Sequence, residues 1–383
     1  MNTREPGGIG FWLVLCAAFT GFCAFYAPQP LLPAFSTAYG VPATTSAWLL
    51  TAPFLALACG PILVGAILQR VSARKLLSVS MAILGIALLG FANAESFVHL
   101  MVFRVIQSIL LAIIFTTCIT YASNAGDSSQ RPKRVALYVS TTIFGGFSGR
   151  LISGFVADEF GLEAPFILFG ILALISAGCI WTQVKDTRLP GEVLSLRSIL
   201  GLFKKKDIRV GLIIVFTTFF AFSSALTAMP FRLVELNPGI QSSNIALVYS
   251  GYAIGIFIPI IIAWLVARGR KEVDILKIGT GIFLMGFCGL LIPDTAVLMF
   301  VFVLLAAGMF TIHATAAGLL NKLQSEHASV INGAYISNYY SAAAIGSVVP
   351  LWLIESVGWN AYVGATAMMI AGVFWLIRVL GRE

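Results

Sequence analysis

The feature that most constrains this chain is a series of apolar runs, each long enough to cross a lipid bilayer and separated by short polar loops. A bilayer core takes about 20 residues of helix, and a spanning helix satisfies its own backbone hydrogen bonds. The runs therefore predict an all-α membrane protein with about twelve transmembrane helices. The predicted spans are 9–34, 44–68, 75–93, 98–121, 135–157, 164–184, 210–231, 244–267, 273–292, 295–320, 329–353 and 359–379.

The composition agrees with a chain that is almost entirely membrane span. Of its 383 residues, 59% are hydrophobic and 10% are charged, whereas soluble domains carry about 25% charged residues. Residues 1–8 contain one Arg and no small-residue cleavage site, so we expect the first span to be retained. The cysteines all lie in apolar runs, and the sequence has no CxxC, P-loop or HExxH motif. We therefore expect no disulfide, metal site or cofactor.

The longest polar stretch, Lys185–Arg209, divides the chain into two halves of six spans. It predicts an N-terminal six-helix bundle at 1–184, a cytoplasmic linker at 185–209 and a C-terminal six-helix bundle at 210–383. Each half carries a basic loop after its second span, at Arg70–Lys75 and Arg268–Lys271. A duplicated six-helix plan is typical of transporters in which two bundles rock about a central site.

The basic residues gather on one side of the predicted membrane. With the N-terminus in the cytoplasm, all 24 Lys and Arg residues except Arg104, Arg150 and Arg232 fall in cytoplasmic segments. This pattern predicts a multi-pass protein of the cell inner (plasma) membrane with both termini in the cytoplasm. It also accounts for the net charge of +8, because the basic loops face anionic lipid headgroups. Nucleic acid is therefore not an expected partner.

The 16 acidic residues all lie in loops or at helix ends, and none lies at mid-membrane. Proton-coupled exporters of cations use a buried carboxylate that holds either the proton or the cation. The distribution of acids therefore argues against a pump for cationic drugs. It also argues against an intramembrane enzyme built on paired carboxylates.

Two arginines lie inside predicted spans, Arg104 in the fourth and Arg150 in the fifth. An arginine at the centre of a spanning helix costs about 2.5–3.5 kcal/mol on insertion scales. In one interpretation, both side chains face the central cavity or the seam between the two halves, where they bind an anionic or strongly polar substrate or Arg104 modulates a nearby proton site. In the other, backbone carbonyls and side-chain acceptors satisfy them, and they hold helices together. Gln107 lies one turn from Arg104 and either shares its ligand or pairs with it.

Four further polar side chains in the spans, and one histidine, are candidates for the site. His313 lies deep in a span, and imidazole titrates near neutral pH, so it either carries a coupled proton or is a hydrogen-bonded packing residue. Gln29 lies between two prolines that bend the first span. Tyr335 and Tyr339 share a helix face with Asn338 beside them, and they either line the cavity or pack.

Small residues repeat along one face of the fifth span. Gly145, Gly149 and Ser153 recur at i, i+4 and i+8, so a neighbouring backbone can approach this face closely. Arg150 lies in the middle of the same stretch. A smooth helix face beside a costly charge predicts a moving joint next to a polar pathway.

Several stretches resemble motifs of the major facilitator superfamily. Segment 65–77 resembles its loop motif G-x-L-a-D-r-x-G-r-k-x-x-l, which acts as a conformational latch in the family. The matching residues are Gly65, Arg70, Arg74 and Leu77. Gln69 stands where the motif has Asp, so the resemblance implies a latch that offers hydrogen bonds in place of a charge. Arg104–Ser108 is similar to the family's R-x-x-q-G.

The fifth span is similar to the exporter motif g-x-x-x-G-P-x-x-G-G. Its matching glycines are Gly145, Gly149 and Gly154, while Arg150 replaces Pro and Ser153 replaces Gly. Two other stretches look like the arabinose-efflux-type branch of the drug:proton antiporters, namely 308–313 and 332–347. The resemblance covers the whole chain and implies twelve helices in two pseudo-symmetric bundles.

Together these features predict a secondary transporter and not an enzyme. The resemblance implies proton-coupled efflux of a small organic solute, and two buried arginines without a buried acid favour an anionic or neutral-polar solute. The main alternative is proton-coupled or facilitated uptake of an anionic solute, such as an organic acid or siderophore. A remote alternative is a membrane receptor that does not transport. The expected partners are a small molecule, protons and the lipid bilayer, and the expected functional unit is a monomer.

Overall fold

The computed structural model describes residues 8–124, 127–189, 201–324 and 328–380, and these residues form helices and short connections without β-strand. Residues 1–7, 125–126, 190–200, 325–327 and 381–383 lie outside this description, and they include the middle of the predicted linker. The helices are α1 (Ile9–Tyr26), α2 (Leu32–Tyr39), α3 (Ala43–Ser46), α4 (Trp48–Leu68), α5 (Ala73–Ala92), α6 (Phe97–Asn124), α7 (Arg131–Phe160), α8 (Ala164–Gln183), α9 (Lys206–Leu236), α10 (Ser242–Val248), α11 (Ile258–Ala267), α12 (Glu272–Gly289), α13 (Thr295–Leu323), α14 (Ala328–Val357) and α15 (Trp359–Leu380), with 3₁₀ segments at Ser128–Gln130 and Tyr249–Ile256.

These helices follow the predicted spans, with two interruptions. Eleven segments of the described chain are long and apolar enough to cross a membrane. The predicted ninth span, α12, has 18 residues and carries Glu272, Asp274 and Lys277 near its start, so its composition alone does not mark it as a span. The first span, predicted as one helix, breaks after Tyr26 and resumes at Leu32. The eighth span passes from α10 through the 3₁₀ segment to α11.

Proline causes the break in the first span. Pro28 and Pro30 have no N–H to donate, so helical hydrogen bonding stops there. The backbone turns instead, with Gln29 N bonded to Tyr26 O at 3.0 Å and Leu31 N bonded to Pro28 O at 3.0 Å. The carbonyls at the end of α1 are left for other donors.

Two apolar cores form, one for each half of the chain. The first draws mainly on helices α1 to α8 and also includes Tyr340, Ala343 and Ala344 of α14. The second draws mainly on helices α9 to α15 and also includes Ala47 and Ile143. Each half is therefore packed mainly around its own side chains, and each core also includes a few residues of the other half. The predicted domain bounds, 1–184, 185–209 and 210–383, stay a prediction.

The halves meet along two pairs of helices. α4 packs against α14, and α7 packs against α10 and the 3₁₀ segment that follows it. These pairs join the second span to the eleventh and the fifth to the eighth. The second span corresponds to the eighth and the fifth to the eleventh, so the two pairs are equivalent, as expected for two related halves around a twofold pseudo-axis.

Two ends of the molecule can be distinguished. We call the end that carries Arg70–Lys75 and Arg268–Lys271 the basic face. At the other end, the opposite face, the chain turns at glycines with positive φ, including Gly40, Gly161 and Gly358. The hydrogen bonds between the halves that are described below lie towards the opposite face.

Candidate functional site

Arg104 is held by the carbonyl groups that prolines leave without partners. Its Nη1 donates to Ala24 O at 3.2 Å, whose helical partner would be the nitrogen of Pro28. Its Nε donates to Leu49 O at 2.5 Å, whose helical partner would be the nitrogen of Pro53. Its Nη2 donates to Phe25 O at 2.6 Å. The guanidinium thus places a positive charge at the C-terminus of α1, where the helix dipole favours it.

Gln107 completes this arrangement within the N-terminal half. Its Oε1 accepts from Arg104 Nη1 at 2.9 Å, and its Nε2 donates to Ala87 O at 3.1 Å. Both side chains are fully buried. Arg104 and Gln107 therefore join α6 to α1, α4 and α5. Of the two interpretations of the sequence, this geometry favours helix packing for this pair.

Arg150 has a different environment at the same break in the first span. Its Nε donates to Gln29 Oε1 at 2.6 Å, and its Nη1 donates to Gly146 O at 2.7 Å. Because arginine has no acceptor, this bond fixes the orientation of the Gln29 amide. Arg150 Nη2 and Gln29 Nε2 are both buried without a hydrogen-bond partner. Two donor groups are therefore left over in one buried place.

Three tyrosine rings surround the Arg150 guanidinium. Its central carbon lies 3.8 Å from the ring centroid of Tyr26, 5.0 Å from that of Tyr252 and 5.2 Å from that of Tyr249. Tyr26 belongs to the N-terminal half, whereas the other two lie in the 3₁₀ segment of the C-terminal half. Three residues make one turn of a 3₁₀ helix, so Tyr249 and Tyr252 share a face. We call Arg150, Gln29 and these three tyrosines the Arg150 site.

The predicted smooth face of α7 packs within the N-terminal half. A Cβ at Gly149 would overlap the backbone of Cys23 in α1, and one at Gly145 would lie 2.9 Å from Phe22 Cβ. Cys23 Sγ donates to Gly145 O at 3.3 Å. Ser153, the third residue of this stripe, donates from Oγ to Arg150 O at 2.9 Å. This face fixes α7 to α1.

The neighbouring face of α7 contacts the other half. Arg150, Gly154 and Asp158 recur at i, i+4 and i+8, and we call them the interface stripe. A Cβ at Gly154 would lie 2.7 Å from Ser242 O. The Asp158 carboxylate accepts from Ser242 N at 3.0 Å and Ser243 N at 2.8 Å, which caps α10. The sequence placed Asp158 only among the acids at helix ends.

Two further contacts join the halves, one from α4 and one from α3, both to α14. Thr51 Oγ1 and Ser347 Oγ are 2.6 Å apart in a buried hydrogen bond. Nearer the opposite face, the backbone N–H of Thr44 donates to Glu355 Oε1 at 3.4 Å. Together with the interface stripe, these bonds join the two halves on both sides of the pseudo-axis.

His313, Tyr335 and Tyr339 meet in the C-terminal half. His313 Nδ1 and the Tyr335 hydroxyl are 2.5 Å apart, and the same hydroxyl donates to His313 O at 3.2 Å. The imidazole ring lies 5.9 Å from the ring of Tyr339 and 5.1 Å from that of Phe219. Asn338 turns away from this group and donates to Leu212 O at 2.8 Å.

A series of rings connects the two groups across the interface. Tyr26 lies 6.3 Å from Phe54, Phe54 lies 6.2 Å from Tyr340, and Tyr340 lies 4.2 Å from Tyr339, all between ring centroids. Tyr26 and Phe54 did not stand out in the sequence, nor did Tyr249 or Tyr252. The sequence indicates that a buried Arg150 requires partners, but it does not indicate which aromatic rings surround it.

The residues of the predicted latch lie at the basic face. Gly65 is buried near the end of α4, whereas Gln69 and Arg70 are exposed just after it. Arg74 pairs with Asp186 at 3.1 Å, and its guanidinium lies 5.5 Å from the ring of Trp181. Asp186 therefore supplies a carboxylate in this region, while the motif's own acid position holds Gln69.

Two helical bundles with a buried polar site between them define a membrane carrier of the alternating-access class. Residues 14–347 match the Major Facilitator Superfamily, and the chain belongs to that family. It is accordingly a multi-pass membrane transporter of small molecules and not an enzyme.

Similar proteins agree with this assignment. An uncharacterized transporter of Buchnera aphidicola (subsp. Schizaphis graminum) is 22% identical over 353 residues, covering 90% of this chain and 84% of the relative. The MFS-type transporter YybF of Bacillus subtilis is 20% identical over 96% of this chain and 92% of its own. Among solved structures, a bacterial homologue of human Spinster, inward-facing and occupied, has a TM-score of 0.80 at 13% identity, covering 97% and 96% of the two chains. The nucleoside transporter NupG has a TM-score of 0.80 at 13% identity, covering 97% and 100%.

Proposed function

We propose that the protein is a secondary active transporter that exports a small anionic or neutral-polar organic solute in exchange for protons. The observation that carries this proposal is the Arg150 site. A buried cation lies between two halves that must move relative to each other, and it has donor groups to spare. A site in that position contacts both halves and can bind a substrate whichever side is open.

The charge of the site favours an anion. A buried arginine is costly unless it is paired, and the described partners of Arg150 are an amide oxygen, a backbone carbonyl and three aromatic rings. None of these carries a negative charge. A solute with a carboxylate or a strong acceptor group would supply the missing partner. A cationic solute would meet an uncompensated like charge.

The arrangement of the halves supports a state that receives solute from the basic face. The bonds of Asp158, Thr51 and Thr44 to the C-terminal half all lie towards the opposite face. We propose that the basic face is cytoplasmic, in line with the positive-inside pattern. The structure then represents a state closed to the outside, in which a substrate for export is loaded.

We assign the proton to His313 and Tyr335. Imidazole is the side chain that changes charge near neutral pH, and Tyr335 is positioned to exchange a proton with Nδ1 across 2.5 Å. Phe54, Tyr340 and Tyr339 form a contact path from the neighbourhood of Arg150 to this pair. We propose that a bound anion at Arg150 changes the protonation of His313 through this path.

The test is flux of an organic anion in proteoliposomes with an imposed pH gradient. If export is coupled to proton entry, a proton gradient directed towards the compartment on the cytoplasmic side should drive the anion out of that compartment. Arg150→Gln should abolish this flux at equal protein content. Arg268→Gln is the matched control, because Arg268 also stacks on an aromatic ring, that of Trp264 at 3.9 Å, but on the exposed surface. Full flux through Arg150→Gln would refute the proposal.

Uptake of an anionic solute is the second candidate. Arg150 occupies the position at which the exporter motif has proline, so the feature most typical of exporters is changed in this chain. The same proteoliposomes distinguish the two directions. Protons that move with the solute indicate symport and uptake, whereas protons that move against it indicate antiport and export.

A further inference from the structure

The Arg150 site also indicates what kind of anion the protein carries. Building on the proposed transport of an anion through this site, we infer that the substrate is a planar aromatic monocarboxylate. Its carboxylate binds Arg150 and Gln29, and its ring lies among the aromatic rings at the interface between the halves.

The two free donor groups define the head group. Arg150 Nη2 and Gln29 Nε2 both lack partners, and the two side chains are already joined through Nε and Oε1 at 2.6 Å. Donors on two side chains that are bonded to each other can bind the two oxygens of one carboxylate. A sugar or nucleoside hydroxyl would satisfy only part of this set and would leave the positive charge uncompensated.

The number of charges at the site limits the ligand to one negative charge. Arg104, the other arginine within a predicted span, donates to three carbonyls and to Gln107. Among the described contacts of the Arg150 site no second cation occurs. A phosphate or dicarboxylate would bring a second buried charge without a partner, and such a charge is strongly unfavourable.

The surroundings define the body of the ligand. Tyr26, Phe54, Tyr340 and Tyr339 follow one another with ring centroids 6.3, 6.2 and 4.2 Å apart. Aromatic rings pack favourably at about 4.5–7 Å. When a flat ring of the ligand enters this series, its own contacts with the neighbouring rings replace the ring–ring contacts that are lost. The hydroxyls of Tyr249 and Tyr335 are already bonded to Leu226 O and His313 O, so a polyhydroxylated body would gain no hydrogen bond from these two donors in return for those it loses to water.

The tyrosines also show how the ligand reaches the arginine. Arg150 is fully buried, whereas Tyr26 and Tyr252, which cover its guanidinium, are only partly buried. Their uncovered surfaces mark the side from which a ligand approaches. Displacement of the two rings exchanges a cation–π contact for a charge-assisted pair of hydrogen bonds, which is the stronger interaction. The displaced rings are then free to stack on the ligand.

Equilibrium binding to the purified full-length protein tests this inference with four probes. Benzoate has the charge and the ring, cyclohexanecarboxylate has the charge without the flat ring, benzamide has the ring without the charge, and phthalate has a second charge. We expect benzoate to bind about tenfold more tightly than cyclohexanecarboxylate, equivalent to about 1.4 kcal/mol. Benzamide and phthalate should bind more weakly still.

Variants connect this preference to the proposed residues. Arg150→Gln should abolish benzoate binding, and Arg150→Lys, which keeps the charge but not the fork, should weaken it. Tyr26→Leu should reduce the preference for benzoate over cyclohexanecarboxylate while carboxylate binding remains. Arg268→Gln should bind as the wild type does. Each variant is compared only when it elutes as a single species in size-exclusion chromatography.

Each outcome separates this inference from the proposed function. Equal binding of benzoate and cyclohexanecarboxylate, both lost in Arg150→Gln, overturns the aromatic class and leaves anion transport intact. Tighter binding of phthalate overturns the single charge. Benzoate binding that survives Arg150→Gln overturns the site itself, and with it both proposals.

Discussion

Removal of the Asp158 carboxylate should open the interface at the opposite face. In Asp158→Ala, the N–H groups of Ser242 and Ser243 lose the oxygens that now lie 3.0 and 2.8 Å away. The loss of an N-terminal cap costs about 0.5–2 kcal/mol. This cap joins the two halves, so the cost is paid only in the closed state. A change of one or two kcal/mol shifts the ratio of closed to open molecules by about 5- to 30-fold.

The distance between the halves at the opposite face reports this shift. Glu95 and Leu291 are exposed there, one in each half. Spin labels at these two positions, in a protein whose six native cysteines are replaced, give a distance distribution by double electron–electron resonance. Asp158→Ala should increase the population at long distance, and Asp158→Asn should lie between Asp158→Ala and the wild type.

Asp294 provides the matched control. Its carboxylate caps α13 by accepting from Val297 N at 2.9 Å, at the same face but within the C-terminal half. Asp294→Ala should therefore lower stability without changing the distance between the halves. An unchanged distance distribution in Asp158→Ala, or an equal change in Asp294→Ala, would refute a role of the Asp158 cap in closing the interface.

Three other variants test the remaining contacts. Arg104→Ala leaves three carbonyls without a donor, at about 1–3 kcal/mol for each buried group, so the thermal unfolding temperature should fall well below that of a surface variant such as Arg268→Gln. Gly149→Ala forces α7 away from α1 at about 1–3 kcal/mol, whereas Gly178→Ala, which has open space around its Cβ, should have no such effect on unfolding. His313→Gln should remove the pH dependence of transport, and flux that still follows pH would exclude the proton role.

The sequence was sufficient to predict the helical architecture, because each span must hold about 20 apolar residues whatever its neighbours are. It was less informative where the chain departs from one helix per span. The first span was predicted as 9–34, yet its prolines divide it at Tyr26. The 3₁₀ geometry of Tyr249–Ile256 has no comparable signal, because tertiary packing against α7 and α13 accompanies it.

The candidate site was predicted only in part for a similar reason. Arg150 and Gln29 are recognisable as costly polar residues in spans, and the structure brings them together. Which tyrosines surround them depends on which face of α7 packs against the C-terminal half. That face is the interface stripe, which is offset by one residue from the stripe of small residues. A pattern of small residues shows that a helix has a smooth face, but not which neighbour covers it.

The capping of the α1 break by Arg104 also bears on how the protein is assembled in the membrane. α1 and α4, which carry the unpaired carbonyls Ala24 O and Leu49 O, are synthesised before α6. When α6 enters the bilayer, the acceptors for its arginine are already present, and they offset an insertion cost of about 2.5–3.5 kcal/mol. Pro28 and Pro53 thus leave acceptors for a charge that enters the membrane later in synthesis. The order of the helices along the chain therefore helps to make that charge tolerable.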